Sequence, residues 1–500
     1  MKHSLVVISL LFFWMDGHSQ ELVEITQVDG KGISRTIKTN RPDTLIKDGK
    51  PKIHVSASNF DQPIFKNKSD SIQFEKTQKA IREMVDGKRY DPKVADSIFA
   101  ISTEIRNRII GYRKVYSGNP NFFPFDSLTF KSDRSAIKQL SLSKVRSKKL
   151  PIEIFTCKNL EELELVNTSI GKIQKKLTSL PQLKTIFIYN NNPKRSLKLK
   201  KNQCIETLII RGDKPNKLPT NYSKLSRLTK LDLAQNALTK FPQGISKNKK
   251  LKELILISNG ITLANDVILP NPYLEKLDLG KNQIKKVPAS IGGFKALKQL
   301  KFNNNTITEV DEAISKLQSL QQLSFYSNQL ATIPKGVYQL PELKEIDLYY
   351  NQIERLESLS TNWKKLEVLY LAFNKVFSLP DNLGQLKTLQ ELYVHNNRLS
   401  SIPESISEIE GLKIFRANNN LLINWPESIS KIQLLENLDL SNNSISTLPI
   451  EHFQFAHLKI LALVANPWDV ETKKNLIVYT KSLRQRGVIV HLNSFDEEVE

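Results

Sequence analysis

Leu366-Glu-Val-Leu369-Tyr-Leu371-Ala-Phe-Asn374 is one copy of the pattern that decides the fold of this 500-residue chain. The pattern, Leu-x-x-Leu-x-Leu-x-x-Asn, begins at Leu228 and returns every 23 residues. Its asparagines are Asn236, Asn259, Asn282, Asn305, Asn328, Asn351, Asn374, Asn397, Asn420, Asn443 and Asn466. A fixed period of this length predicts a stack of like units, each too small to bury its own apolar face.

The spacing within one copy predicts a short strand followed by an inward turn. Leu369 and Leu371 are two residues apart, so on a strand they share the interior face, while Val368 and Tyr370 point to the other face. Asn374 ends the strand, and its amide can pair with turn backbone that would otherwise be unpaired. We therefore interpret the asparagines as a buried structural ladder with no catalytic or metal-binding role.

The second half of many copies places a proline after an apolar residue. Proline lacks an N–H and suits a segment outside a sheet; the pairs are Phe241-Pro242, Val287-Pro288, Ile333-Pro334, Leu379-Pro380, Ile402-Pro403 and Leu448-Pro449. The whole pattern resembles the 23-residue leucine-rich repeats of the Ras-group and typical subclasses, as in Shoc2-like and Ras-suppressor-like proteins. The resemblance covers roughly two-thirds of the chain and implies an α/β solenoid with a curved parallel sheet. It implies little about function, because the fold is a general binding scaffold.

Weaker copies extend the array toward the N-terminus. Asp213, Asn191, Thr168 and Val145 take the asparagine place in four further units, and the step from 191 to 213 is one residue short. The array then covers residues 131–466 with about fifteen units, the terminal ones being least regular, as is typical of end repeats.

Residues 1–19 are predicted to be a secretory signal peptide. A weakly basic start precedes an apolar run from Leu5 to Met15, which is too short to span a bilayer, and small residues at 17 and 19 allow cleavage before Gln20. The alternative is an uncleaved N-terminal anchor. No later segment reaches membrane-spanning length, so we predict a secreted or cell-envelope protein with no transmembrane segment.

The region between the signal and the repeats is predicted in two parts. Residues 20–65 are polar and aperiodic, which favours a linker or an irregular lead-in. Residues 66–130 are predicted to form a helical N-terminal cap, with one helix over Asp70–Val85 and a second over Asp91–Tyr112, where five apolar residues form a stripe. These helices either cover the open end of the repeat core or form a separate partner-binding module.

The C-terminal end is predicted to be closed by a cap over residues 467–500. Val470–Arg486 has the pattern of a helix, and the apolar run Val488–Leu492 follows as one last strand. Similar Asn-Pro endings begin the caps of many extracellular leucine-rich repeat proteins, which use several disulfide-bonded cysteines.

The two cysteines of this chain, Cys157 and Cys204, precede strands two units apart, roughly 10 Å, so we expect two unpaired and largely buried thiols. Export without a disulfide-stapled cap favours a bacterial protein.

The net charge of +22 is concentrated in the N-terminal half of the array. Residues 131–220 contain 20 Lys and Arg against 7 Asp and Glu, whereas residues 320–420 contain 10 against 11. Within this half we predict that five basic residues bind polyanions: Lys194, Arg195, Lys198, Lys200 and Lys201. Such a surface would attract acidic glycans or an anionic envelope, or would only keep the protein soluble. The export signal argues against nucleic acid as the partner.

A second candidate surface is the outward face of the sheet. Outward positions of successive strands align in columns and gather aromatic residues with one arginine: Tyr326, Tyr349, Tyr350, Tyr370, Phe373, Tyr393, His395 and Arg416. Exposed aromatics beside an arginine are typical anchors of protein or glycan recognition. The same rings could instead only stack on each other across the strands.

The sequence favours a binding protein over an enzyme. Asp232 and Asp278 share a column but lie two units apart, roughly 10 Å, and no phosphate-binding glycine loop or nucleophile motif is present. We therefore predict a secreted recognition protein that binds a protein or glycan on the outward face of the sheet. The alternative is a structural or adhesive surface protein whose basic half binds an anionic envelope or polyanionic glycans. We expect a monomer with no cofactor and no metal.

Overall fold

The computed structural model describes residues 121–131, 133–212, 218–263, 268–357, 362–449 and 455–493, together with the backbone of four strands nearer the N-terminus. The chain divides into two compact units, Met1–Ser117 and Gly118–Glu500.

The four described strands of the first unit form two antiparallel pairs. β1 (Val23–Val28) pairs with β2 (Ser34–Thr39), and β3 (Gln62–Phe65) pairs with β4 (Ile109–Arg113). The irregular lead-in expected over residues 20–65 therefore contains strands, and the alternating sequence of β1 favours that structure.

The helix predicted over Asp91–Tyr112 is wrong at its C-terminal end, where β4 begins at Ile109. β-branched and aromatic residues at 109, 110 and 112 favour a strand there. The rest of that helix and the helix predicted over Asp70–Val85 lie outside the described residues. Within the described part of the predicted helical cap, Phe123–Pro124 is a strand and Phe125–Phe130 is a 3₁₀ helix.

The second unit is organised around one parallel sheet of seventeen strands. In spatial order they are β5 (Phe123–Pro124), β6 (Gln139–Ser143), β7 (Glu162–Val166), β9 (Thr185–Tyr189), β11 (Thr207–Arg211), β12 (Lys230–Asp232), β13 (Glu253–Ile255), β14 (Lys276–Asp278), β16 (Gln299–Lys301), β18 (Gln322–Ser324), β19 (Glu345–Asp347), β20 (Val368–Tyr370), β21 (Glu391–Tyr393), β22 (Ile414–Arg416), β23 (Asn437–Asp439), β24 (Ile460–Ala462) and β25 (Ile489–His491). Among the described residues no pairing joins the first strand to the last, so the sheet is open. Fifteen strands lie between the edge strands β5 and β25, one from each of the fifteen predicted repeat units.

The apolar core lies behind this sheet and runs along the whole array. Leu366, Leu369 and Leu371 are fully buried, and the equivalent leucines and isoleucines of the other repeats join one continuous cluster from Leu128 to Val488. Each repeat buries its apolar face only against its neighbours, so the stack is the unit of stability.

The asparagine ladder is confirmed as a hydrogen-bond system, and its asparagines are buried except for Asn374 and Asn397, which are half-buried. Asn374 accepts from the N–H of Ile353 at 3.0 Å, and its amide donates to the carbonyls of Leu348, Leu371 and Ala372 at 2.9, 2.9 and 3.2 Å. Thr168, in one of the weaker copies, donates instead to the amide oxygen of Asn191 at 2.8 Å. Asp213 lies outside the described residues.

The residue before each ladder position has a positive φ. Fifteen repeats share this left-handed turn, at Lys144, Asn167, Asn190, Gly212, Gln235, Ser258, Lys281, Asn304, Ser327, Tyr350, Phe373, Asn396, Asn419, Asn442 and Ala465. Asparagine and glycine tolerate this conformation best, whereas bulky side chains rarely adopt it. Tyr350 and Phe373 are the two aromatic members, with φ of 55° and 54°.

The prolines predict that the return segments lie outside the main sheet. These segments contain short 3₁₀ helices. They are Ile152–Thr156, Lys175–Ser179, Tyr222–Lys224, Ala289–Gly293, Glu312–Lys316, Lys335–Gln339, Leu383–Gln385, Glu404–Glu408 and Glu427–Lys431. Two small parallel pairs also lie there: β8 (Lys172–Ile173) with β10 (Lys198–Leu199), and β15 (Lys286–Val287) with β17 (Glu309–Val310).

The C-terminal cap is confirmed as a helix followed by a strand. α1 (Val470–Gln485) begins at Asp469, whose carboxylate accepts from the N–H of Thr472 at 2.7 Å, and β25 then pairs in parallel with β24. Cys157 is a buried free thiol, and Cys204 is a free thiol that is half-buried. Within the described residues, no helix has the length and apolarity needed to cross a bilayer.

Candidate binding surface on the outward face of the sheet

The outward face of the sheet, which we call the concave face, brings the predicted aromatic residues together. Pairing of β19, β20, β21 and β22 places Asp347, Tyr370, Tyr393 and Arg416 in one row. Parallel strands lie about 4.8 Å apart, so side chains in such a row are direct neighbours. The rings form two layers, one against the sheet and one above it.

Tyr370 and Tyr393 form the lower layer. Their rings are stacked with centroids 4.9 Å apart and planes 18° apart, and only 7% and 4% of these residues is exposed. The Tyr393 hydroxyl donates to Glu391 at 2.8 Å. The expectation that these two tyrosines are exposed is wrong, because Tyr349 and His395 contact them from the next column, at 5.3 Å from Tyr370 and 6.4 Å from Tyr393.

The upper layer is centred on Tyr349. Its ring contacts Tyr350 and Phe373 at centroid distances of 6.4 Å each, and both contacts are edge-to-face. Tyr350 and Phe373 stack on each other at 4.2 Å and 18°, and Tyr326 meets the edge of Tyr350 at 5.4 Å. All four residues are half-buried, so the upper layer presents ring surface to solvent.

His395 and Arg416 supply the polar side of this cluster. Burial lowers the pKa of His395 to about 3, with the nearby Arg416 charge adding to the effect, so the imidazole is neutral at neutral pH. Its Nδ1 is buried and has no hydrogen-bond partner within the described residues. The Arg416 guanidinium lies 5.9 Å from the centre of the Tyr393 ring, which fits a cation–π contact. The permanent positive charge of the cluster is therefore Arg416.

The two aspartates that share a column of the concave face, Asp232 and Asp278, each have a local hydrogen-bond partner. Asp232 accepts from Arg211 at 2.5 Å, and Asp278 accepts from the N–H of Gly280 at 2.9 Å. Burial raises the pKa of Asp278 to about 6, and Asp232 adds to that rise. In the part of the chain that the structure describes, no group of three or more His, Cys, Asp or Glu residues is arranged to hold a metal ion.

The predicted basic set lies elsewhere, on the return segment between β9 and β11. Lys194, Arg195, Lys198, Lys200 and Lys201 are all exposed there. The structure adds one residue that the sequence did not indicate, because the register of β8 and β10 sets Lys198 directly opposite Lys172. The sequence does not reveal this pairing, because the loop after Asn191 is longer. Lys198 lies further along the chain from Asn191 than Lys172 does from Thr168.

Family models support the repeat interpretation. Models described as leucine-rich repeat match residues 272–330, 388–409 and 434–456, all inside the seventeen-stranded sheet region. No curated protein matches the chain.

Solved structures with this architecture include a leucine-rich repeat protein of Leptospira interrogans. It is 26% identical, with a TM-score of 0.57, and the match covers 74% of this chain and 99% of that one. A chain of the Drosophila Toll–Spätzle complex is 19% identical with a TM-score of 0.55, over 67% of this chain and 51% of that one, a likeness that shows the fold alone. Together with the asparagine ladder and the fifteen repeat strands, these matches lead to one conclusion: the chain is a leucine-rich repeat protein.

Proposed function

We propose that this protein is a secreted recognition protein that binds a protein or glycan partner on its concave face. The leucine-rich repeat fold is typically a protein-interaction scaffold, and the Toll structure named above is a complex with Spätzle. The observation that carries the proposal is the two-layered aromatic cluster in four consecutive repeats, β18 to β21.

The layering supports recognition over simple stacking. Tyr349 and His395 already cover the lower rings Tyr370 and Tyr393, so the burial of that layer does not depend on Tyr350 and Phe373. Tyr350 and Phe373 nevertheless stack on each other beside Tyr349, and both do so from backbone with positive φ. Bulky residues in that conformation carry strain, which persists where something other than stability favours them. Rigid, half-buried rings beside one arginine are suited to bind a partner at low entropic cost.

The test replaces the two upper rings by the residue that other repeats use. Asparagine holds the same turn at Asn304, Asn396 and Asn419, so Tyr350→Asn with Phe373→Asn should keep the fold and keep or raise the melting temperature. We expect this variant to lose the partner by about tenfold or more in affinity, since buried aromatic anchors contribute upward of 1–2 kcal/mol each.

The native protein is used as bait to capture a partner from envelope and culture-medium fractions. The affinity of the captured partner is then measured for the native protein and for the variants. Ser327→Asn, a change at the same turn one repeat away without loss of a ring, is the matched control and should bind normally. Protease or periodate treatment of the captured fraction separates a protein partner from a glycan. Unchanged capture by the double aromatic variant would show that the rings are structural.

A further inference from the structure

Lys–Glu ion pairs join many neighbouring repeats of the array. Within the described residues they repeatedly connect side chains 23 residues apart on or beside the strands of the main sheet, as in Lys230–Glu253 at 2.9 Å and Lys344–Glu367 at 3.0 Å. Each such pair sets opposite charges on adjacent repeats, which offsets the repulsion that a regular stack would otherwise build up.

Two equivalent places in the fold differ in this respect. In the β15–β17 pair, Lys286 is opposite Glu309, and their side chains form an ion pair at 2.9 Å. In the β8–β10 pair, Lys172 is opposite Lys198, so two like charges share neighbouring strands. Like charges at this separation repel, and an anion bound beside the pair would offset that repulsion.

The sequence around this pair offers no internal counter-charge. From Val166 to Ile205 there is no aspartate or glutamate, while the same stretch contains nine Lys and Arg. Backbone hydrogen bonds extend the arrangement over three repeats, because Gly171 donates to the carbonyl of Lys148 at 3.2 Å and Lys198 donates to that of Gly171 at 3.1 Å. Lys172 and Lys198 are therefore direct neighbours on strands about 4.8 Å apart, and the exposed Lys148 lies on the repeat before them.

We infer that a set of lysines, which we call the lysine row (Lys148, Lys172, Lys198, Lys200 and Lys201), binds an anionic polysaccharide. A linear chain carrying sulfate or carboxylate groups can follow a linear row of cations and supply the missing counter-charge to each repeat in turn.

Other polyanions fit the row less well. The apolar residues of the two strands, Ile173 and Leu199, are buried, so the strands offer no apolar side chain for insertion into a lipid surface. Phe155 lies nearby, but it is also buried and is covered by Lys176 at 4.7 Å, so it offers no open face on which a base could stack.

The test uses Lys198→Glu together with Lys200→Glu in the full chain. Lys198→Glu sets a carboxylate opposite Lys172, the arrangement that Lys286 and Glu309 already have, so the melting temperature should stay the same or rise. Binding to heparin, a sulfated polysaccharide used here as the probe, should weaken by about tenfold or more at about 0.15 M salt, because two charges of the row are reversed.

Three controls separate the site from net charge and from other ligands. Lys474→Glu with Lys481→Glu makes the same change in net charge on exposed positions of α1 and should alter heparin binding less than about twofold. Tyr350→Asn with Phe373→Asn should bind heparin normally, since the concave face is a separate surface. Equal weakening by the α1 variant would overturn the inference, as would tighter binding to phosphatidylglycerol vesicles or to single-stranded DNA than to heparin.

Discussion

Asn374 shows how a single side chain connects two adjacent repeats of the stack. One amide accepts from Ile353 in the preceding repeat and donates to Leu348 in that repeat and to Leu371 in its own. The sequence predicts this role because the residue type and its spacing recur, and hydrogen bonding of buried turn backbone is obligatory. Sequence reasoning is most secure at such positions.

Replacing Asn374 by alanine should therefore weaken folding markedly. The change leaves several partly buried backbone groups without their partner, at a cost of about 1–3 kcal/mol. Urea unfolding monitored by circular dichroism measures it, with Asn192→Ala, which changes an exposed asparagine in another repeat, as the control. Equal shifts in the urea midpoint for both variants would contradict the assignment.

Asp278 makes the free energy of unfolding depend on pH. The dependence has the opposite sense to that of a carboxylate that forms a salt bridge on folding. Burial raises its pKa from 3.8 to about 6, so the folded state binds the proton more tightly than the unfolded state. Its contribution thus favours folding at low pH and is lost as pH rises between about 4 and 6.

Asp278→Asn removes this titration while an amide oxygen can still accept from Gly280. We expect the variant to be more stable than the native protein at pH 7 and no more stable near pH 4. Urea midpoints at the two pH values measure the difference, and Asp381→Asn, at an exposed position, controls for the loss of one charge. A variant that gains equally at both pH values would rule out the buried titration as the cause.

At the scale of elements, periodic sequence predicts strands and caps well. The fifteen repeat strands and the C-terminal helix and strand all follow from spacing and from apolar alternation. The N-terminal elements were predicted less well, because β3 and β4 pair across more than forty residues and no local pattern reports that pairing.

The sequence also did not predict that the aromatic cluster has two layers. Tyr349, Tyr370 and Tyr393 all occupy outward positions, and alternation along a strand predicts only which face a side chain leaves. Whether a ring is covered depends on its rotamer and on rings from two neighbouring repeats, which the sequence does not specify.

At the scale of the whole molecule, export remains a prediction from residues 1–19. We expect the mature protein to begin at or near Gln20 and to be recovered outside the cytoplasm, because a basic start, a short apolar run and small residues occur in that order. Intact-mass analysis of the purified protein measures its N-terminus. A cytoplasmic pool that retains Met1 would contradict the prediction.

The 23-residue step, which is constant from Asn236 to Asn466, also has a consequence for how such a protein changes over generations. Every ladder asparagine and most Lys–Glu pairs reach only to an adjacent repeat, in the same register each time. Unequal crossing-over between repeats of the gene can therefore remove or duplicate one whole unit and leave each remaining bond with an equivalent partner. Recombination can therefore change the length of the concave face by whole repeats while each remaining repeat keeps the same core contacts.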